Sequence, residues 1–179
     1  MRTITFISAL LLLASCSNLD QELTEVRALQ EQLTKSKQVF QKWDLDHMVQ
    51  RKKEVDSLLD SVSNHYTNKN LVMDLPVGIL LGDFKTSAKA FKKAMGDYTQ
   101  VKNELALSKK QLDNLDRDLS SGAMEKDSAI RYVSEEKLAV KSVYDQVFKL
   151  DTMYMRAERM YADKRPKVDS LISTFKQSP

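Results

Sequence analysis

"LTEVRALQEQLTKSKQVFQKW", residues 23–43, places apolar side chains in alternating steps of three and four residues. These steps keep side chains on one narrow stripe of an α-helix, and a helix with such a stripe packs against other helices. The stretch therefore predicts a helical bundle. The positions that share the rhythm are Leu23, Val26, Leu29, Leu33, Ser36, Phe40 and Trp43.

The same rhythm continues beyond this stretch and predicts a long first helix. It slips near Leu45 and resumes from Met48 to Tyr66. A slip of this kind indicates a change of packing partner or of helix winding. Because no proline or glycine occurs in residues 19–66, we expect one helix there, about 70 Å long at 1.5 Å per residue.

Two further stripes follow, and local signals mark where they begin and end. Asp83 is a candidate N-cap, and Gly122 suits the left-handed residue that ends a helix. Pro166 removes a backbone donor, so the last long helix should kink or stop near residue 164. The predicted helices are about 19–66, 84–120, 127–164 and 167–176.

The composition agrees with long helices. The chain of 179 residues has only four glycines and three prolines, and 30% of its residues are charged. The fold class is therefore all-α. We predict an elongated antiparallel three-helix bundle of the coiled-coil type, with a kinked C-terminal helix, as one domain over residues 18–176.

The N-terminus has the order of a secretory signal. Arg2 precedes an apolar run over residues 4–13, and the small residues Ala14 and Ser15 lead to Cys16, the only cysteine. The run is too short for a lasting transmembrane helix, which needs about 20 apolar residues. We expect residues 1–15 to be a signal peptide that is removed on export.

The tetrapeptide Leu13-Ala14-Ser15-Cys16 resembles the lipobox of bacterial lipoproteins. The resemblance implies that the sulfur of Cys16 carries a diacylglyceryl group and that the new N-terminus is acylated, so residues 16–17 form a membrane anchor. Several acyl chains give durable attachment where one does not. An aspartate directly after the lipidated cysteine would resemble an inner-membrane retention signal. This chain has Ser17 at that position, which favours the outer membrane. The alternative is an ordinary signal peptide that is cut elsewhere and leaves a free thiol.

The organisation of "CSNLDQELTEVRALQEQL", residues 16–33, is similar to that of small envelope lipoproteins such as the murein lipoprotein. The similarity is one of plan and covers about the first 35 residues. The chain departs from that family by adding two helical segments. It also ends in "FKQSP", without the C-terminal lysine that the family attaches to peptidoglycan.

Charge and motifs narrow the function classes. Removal of Arg2 with the signal leaves 27 basic and 25 acidic residues, a balance that argues against nucleic-acid binding. His47 and His65 would lie about 27 Å apart on one straight helix and predict no metal site. The acidic side chains are expected to pair with neighbouring bases, and no phosphate-binding loop or nucleophile elbow occurs. We predict no enzyme activity, no cofactor and no metal.

The segment "LVMDLPVGILLGDF", residues 71–84, breaks the helical rhythm. It is apolar but follows neither a helical nor a strand period. Either it folds over the end of the bundle as a plug, which we favour because large exposed apolar patches are uncommon on monomers, or it forms a partner surface. The residues that would carry such a surface are Leu75, Val77, Ile79, Leu80 and Leu81.

These features predict a non-enzymatic, lipid-anchored helical protein of the bacterial cell envelope that acts as a spacer, scaffold or adaptor. Its partners would be the membrane, through acylated Cys16, and either an envelope protein or a second copy of the chain. The alternative is a chaperone-like or ligand-binding lipoprotein. That alternative uses an apolar groove between helices, the segment 71–84 or the tyrosine and methionine side chains of the last long helix.

Overall fold

The computed structural model describes residues 19–177 and contains four helices. They are α1 (Asp20–Phe40), α2 (Leu45–Asn68), α3 (Leu75–Ser120) and α4 (Lys126–Gln177). No strand occurs between residues 19 and 177. The predicted all-α class is confirmed.

The two longest helices form a hairpin on which the two shorter ones lie end to end. α3 has 46 residues and α4 has 52, which correspond to about 69 and 78 Å at 1.5 Å per residue. α1 and α2 each pack on both α3 and α4, but not on each other. Every cross-section through the packed region therefore contains three helices, as a three-helix bundle requires.

Side-chain contacts give the direction of each helix. Arg27 pairs with Asp116, and Phe40 packs on Tyr98, so α1 runs antiparallel to α3. Trp43 donates a hydrogen bond to Asp151, which lies at the middle of α4. The start of α1 and the α3–α4 turn thus lie at one end of the bundle, the proximal end. The α2–α3 connection and the end of α4 lie at the other, the distal end.

The interior is a continuous apolar core along the whole length of the bundle. Each fully buried Val, Leu or Phe side chain contributes about 1.5–3 kcal/mol relative to leaving it exposed. The stripe predicted from residues 23–43 faces this core. Its buried members are Val26, Leu29, Leu33, Ser36, Phe40 and Trp43.

The predicted single helix over residues 19–66 is wrong, because the chain breaks between α1 and α2. The break brings both Phe40 and Trp43 into the core, where their ring centroids lie 5.3 Å apart. Asp44 then begins α2, and its side chain accepts a hydrogen bond from the backbone N–H of His47 at 3.0 Å. An Asp N-cap and two buried aromatic rings make the break favourable without glycine or proline.

The predicted start of the next helix at residue 84 is also wrong. Asp74, not Asp83, is the N-cap, and it accepts a hydrogen bond from the backbone N–H of Val77 at 2.9 Å. Pro76 lies in the first turn, where its missing N–H costs nothing. The helix therefore begins at Leu75, nine residues before the predicted start, and Gly82 lies inside it.

Of the two alternatives predicted at Pro166, the stop near residue 164 is wrong, because the last helix continues through the proline, and the kink stays a prediction. Tertiary contacts hold the helix on both sides of the proline. Lys164 pairs with Asp83, Arg165 pairs with Glu54, and Val168 is fully buried. These contacts offset the one backbone hydrogen bond that proline removes. The predicted stop at Gly122, by contrast, is confirmed, because this residue has a φ of 67°.

Candidate functional site

The distal end is built around the connection between α2 and α3. Asn70 adopts the left-handed conformation, with a φ of 56°. The N–H of Leu71 donates to the carbonyl of Tyr66, and the N–H of Asn70 donates to that of Thr67. This Schellman motif ends α2 and leads the chain in a tight turn to the Asp74 cap of α3. A short, well-bonded loop therefore occupies the tip of the bundle.

The apolar side chains at this end face outward. Val72 is 94% exposed, Leu75 76% and Ile79 57%. Leu71 and Met73 are also exposed. The favoured plug interpretation of residues 71–84 is therefore wrong for residues 71–75, because residues 71–74 form an exposed connection and Leu75 opens α3 with its side chain exposed. We call Leu71, Val72, Met73, Leu75 and Ile79 the apolar tip.

The five predicted partner-binding residues fall into three groups. Leu75 and Ile79 belong to the apolar tip. Val77 and Leu80 are half-buried and pack against the core. Leu81 is buried, so its inclusion in a partner surface is wrong. Helical geometry separates them, because residues 75 and 79 lie one turn apart on one face, whereas Leu81 points to another.

The predicted anchor, Cys16, lies outside the described residues, as does the predicted signal peptide. α1 begins at Asp20, at the proximal end. The apolar tip lies at the opposite end of the bundle, at the start of α3. Within residues 19–177 no helix is long and apolar enough to cross a bilayer.

A polar network joins α2 to α4 in the distal part of the bundle. Tyr161 donates to Glu54 at 2.5 Å, and Arg165 donates to the same carboxylate at 2.8 Å. Arg51 donates to the hydroxyl of Tyr161 at 3.0 Å and lies over its ring, 4.3 Å from the centroid. The full network consists of His47, Arg51, Glu54, Tyr154, Glu158, Tyr161 and Arg165.

The network shifts the pKa values of its members. Burial alone would raise the pKa of Glu54, but the hydrogen bonds from Tyr161 and Arg165 outweigh it and hold that pKa below its ordinary 4.5. Burial, reinforced by Glu158, raises the pKa of Tyr154 to about 12. The tyrosine hydroxyls therefore stay protonated, and Glu54 stays charged, at neutral pH. These are the properties of a structural clamp between two helices.

Sequence reasoning missed this network, although a signal for it exists. It considered His47 as a metal ligand, which it rejected, and the tyrosines of α4 as one alternative binding surface. His47, Arg51 and Glu54 follow steps of four and three along α2. Polar and aromatic residues on α4 follow the same rhythm and could have been matched to them. Those residues are Tyr154, Glu158, Tyr161 and Arg165.

Several charged side chains form the pairs that the sequence predicts for a solvated surface. Lys109 pairs with Asp113, and Lys52 pairs with Asp56. His65 stacks on Phe175, with ring centroids 3.7 Å apart. In the part of the chain that the structure describes, no group of three or more His, Cys, Asp or Glu side chains is placed to hold a metal ion.

A groove of about 760 Å³ lies between α1 and α3, in the middle of the bundle. Its floor is apolar and consists of Leu33, Phe40, Trp43, Tyr98 and Leu105. The indole N–H of Trp43 already donates to Asp151 at 3.1 Å, so its polar atom is satisfied. The volume lies in the range of about 300–1,000 Å³ that is typical of small-molecule sites.

The rim of this groove is cationic. Lys37 on α1 and Lys102 and Lys109 on α3 line it, and Asp113 is the acidic member. Lys109 is neutralised by its pair with Asp113. The groove thus combines an apolar floor with unneutralised positive charge. The sequence pattern of polar and apolar residues did not predict this combination.

No protein-family model, curated protein or solved structure matches this chain. The candidate sites therefore rest on the geometry described above.

Proposed function

We propose that this chain is a non-enzymatic, lipid-anchored spacer and adaptor of the bacterial cell envelope. The observation that carries the proposal is that the two ends of the elongated bundle differ. In the sequence the lipobox-like cysteine precedes α1 by a few residues, α1 begins at the proximal end, and the apolar tip lies at the other end. Acyl chains would fix the proximal end in the membrane, and the bundle would carry the tip to a set distance.

The length of the bundle sets that distance. α3 alone spans about 69 Å, because it has 46 residues with a rise of 1.5 Å each. The helices contact one another along a continuous core, so the rod transmits position without a flexible linker. A spacer of this kind needs no catalytic group, only an anchor and a stiff body.

The apolar tip supports the adaptor part of the proposal. Its five exposed apolar side chains would remain in water on an isolated monomer, and contiguous exposed apolar surface marks interaction sites. Burying one such side chain in an interface contributes about 1.5–3 kcal/mol. The proposed partner is an envelope protein with a complementary apolar surface.

Substitution of Cys16 tests the anchor. We expect Cys16→Ala to move the protein from the membrane fraction to the soluble fraction and to abolish incorporation of labelled fatty acid. Ser17→Ala, at the adjacent position, is the matched control and should retain both. Membrane association and acyl labelling that survive Cys16→Ala would contradict the anchor.

Site-specific photo-crosslinking in cells tests the adaptor. A photoreactive residue at Leu75 should capture one recurrent envelope protein, and Val72→Asp should abolish that capture. Leu107, an exposed leucine in the C-terminal half of α3, is the matched control position. A crosslinked dimer of this chain would replace the heterologous partner with a second copy, and crosslinks within the chain alone would reject the adaptor function.

A second candidate function, a ligand-binding lipoprotein, is supported by the groove between α1 and α3. Both α1 and α3 contribute to its floor and to its rim, and its volume suits a small molecule. The same chain could use both features, because the groove lies in the middle of the rod and the apolar tip lies at its end.

A further inference from the structure

We propose that the groove between α1 and α3 binds the anion of a long-chain fatty acid. The proposal rests on the second candidate function and names its ligand class. It requires neither acylation of Cys16 nor a partner at the apolar tip.

The shape of the groove suits one extended chain. Its lining on α3 runs from Tyr98 to Asp113, a rise of about 22 Å at 1.5 Å per residue. Neighbouring helix axes lie about 8–10 Å apart, so the groove is a narrow trough over the seam between α1 and α3.

The chemistry of the floor suits an alkyl chain. Leu33, Phe40 and Leu105 contribute only apolar atoms. Trp43 adds the face of an indole whose N–H is bonded to Asp151. These four side chains are already largely buried, so a hydrocarbon chain would lie on the outer surface of the core and would leave no polar atom of these residues without a partner.

The rim supplies a site for a carboxylate. Phe40 packs on Tyr98, with ring centroids 4.8 Å apart, and α1 runs antiparallel to α3. One turn from this contact, Lys37 on α1 and Lys102 on α3 are therefore level with each other across the groove. Neither lysine forms an ion pair with any residue that the structure describes, so both ammonium groups are available to an anion.

The groove contains its own reporter, because Trp43 is the only tryptophan of the chain. A brominated fatty acid quenches indole emission only on close contact. Binding at the apolar tip would not give this signal, since Ile79 and Tyr98 are separated along α3 by about 28 Å. Quenching therefore reports occupation of this groove.

The experiment titrates the purified full chain carrying Cys16→Ala with brominated palmitate, below the concentration at which the fatty acid aggregates. The substitution ensures that no acyl group of the protein enters the measurement. We expect saturable quenching of Trp43, displacement by unlabelled palmitate, and at least roughly tenfold weaker displacement by its methyl ester, which lacks the charge.

Charge reversal on the rim provides the matched test. Lys37→Glu with Lys102→Glu should weaken binding by roughly tenfold or more. Lys35→Glu with Lys110→Glu changes the net charge equally, on exposed positions of the same two helices outside the groove, and should leave binding unchanged. Circular dichroism and the thermal midpoint establish that each variant is folded.

Three outcomes would overturn the proposal. Absence of saturable quenching would exclude the fatty acid, and equal affinity for palmitate and its methyl ester would exclude the carboxylate site. Equal loss in both pairs of lysine variants would assign the effect to net charge. Since the Cys16→Ala chain is used throughout, each of these results is independent of whether the anchor exists.

Discussion

The proximal and distal halves of the bundle attach a short helix to the same α3–α4 hairpin by different means. α1 buries Val26, Leu29, Leu33 and Phe40 within 21 residues, and apolar packing dominates its contact. α2 is longer, with 24 residues, yet its buried residues are only Met48, Val55 and Val62. Half-buried Leu58, Leu59 and Tyr66 add to its apolar packing, and the polar network joins it to α4.

This difference has a physical consequence. Apolar packing is non-directional and insensitive to pH, whereas hydrogen bonds and ion pairs fix geometry and depend on protonation. The α2 contact should therefore be the more easily broken by a single substitution or by acid. The apolar tip depends on that contact, since α2 leads directly into the turn that carries the tip.

Met48→Ala should produce the largest effect. The side chain is fully buried, so truncation loses its transfer free energy and leaves a cavity, for about 2–5 kcal/mol of unfolding free energy. Because α2 buries few other apolar groups, amide exchange should accelerate in α2 more than in α1. Leu58→Ala, at a half-buried position of the same helix, is the control and should cost less. Equal acceleration in both helices would remove the distinction between the halves.

Glu54→Ala should have an intermediate effect. It leaves Tyr161 without its acceptor and Arg165 without one of its carboxylates, at a cost of about 1–3 kcal/mol. Chemical denaturation measures the loss. Glu31→Ala, at an exposed position of α1, is the control and should change stability by no more than about 0.5 kcal/mol. A loss for Glu54→Ala as small as that of the control would show that apolar contacts alone hold α2.

Acidification should have the smallest effect on stability. It should destabilise the distal half and stabilise the proximal half. The lowered pKa of Glu54 gives stability that is present above the unfolded value of 4.5 and is lost as the pH falls through the folded pKa. In the proximal half, burial and the charge of Glu135 raise the pKa of Glu136. Through Glu136, the folded protein therefore gains stability as the pH falls toward 4.5 through that raised pKa.

Protection factors from amide exchange, corrected for the intrinsic pH dependence, measure this difference between α1 and α2. Below pH 4.5, α2 should lose protection relative to α1. Glu54→Gln, which cannot titrate, should reduce the difference. A difference of the same size in this variant would assign the acid response to other carboxylates.

Sequence patterns predicted most of the buried positions on the apolar stripes of the helices. The core positions from Val26 to Trp43 follow from a three-and-four rhythm, which is a local property of an α-helix. The stop at Gly122 also follows from local chemistry, because glycine adopts positive φ without steric cost. The break before Asp44 gave only a slip in the rhythm. The start of α3 was missed because residues 71–84 follow no clear helical period and Asp83 was taken as the N-cap, although the Asp74 and Pro76 signal lay in the same segment.

The candidate sites were harder to predict, because they join residues that are distant in the chain. Leu75 and Ile79 were identified from the sequence, but only the start of α3 separates them from Leu81. The groove requires Lys37 on α1 and Lys102 on α3 to lie at the same level. The network requires Glu54 on α2 and Arg165 on α4 to face each other. No pattern within one helix contains that information.

The sequence by itself determined that the chain is helical and which faces are apolar, since helix periodicity, caps and breakers act over a few residues. It also placed a lipobox-like cysteine before the first helix. Only the tertiary structure decided that the first stripe breaks into α1 and α2 and that α4 continues through Pro166. It alone exposed the tip and opened the groove beside Trp43. These outcomes depend on which side chains meet across helices, and packing contacts of this kind are formed only when the whole bundle is assembled.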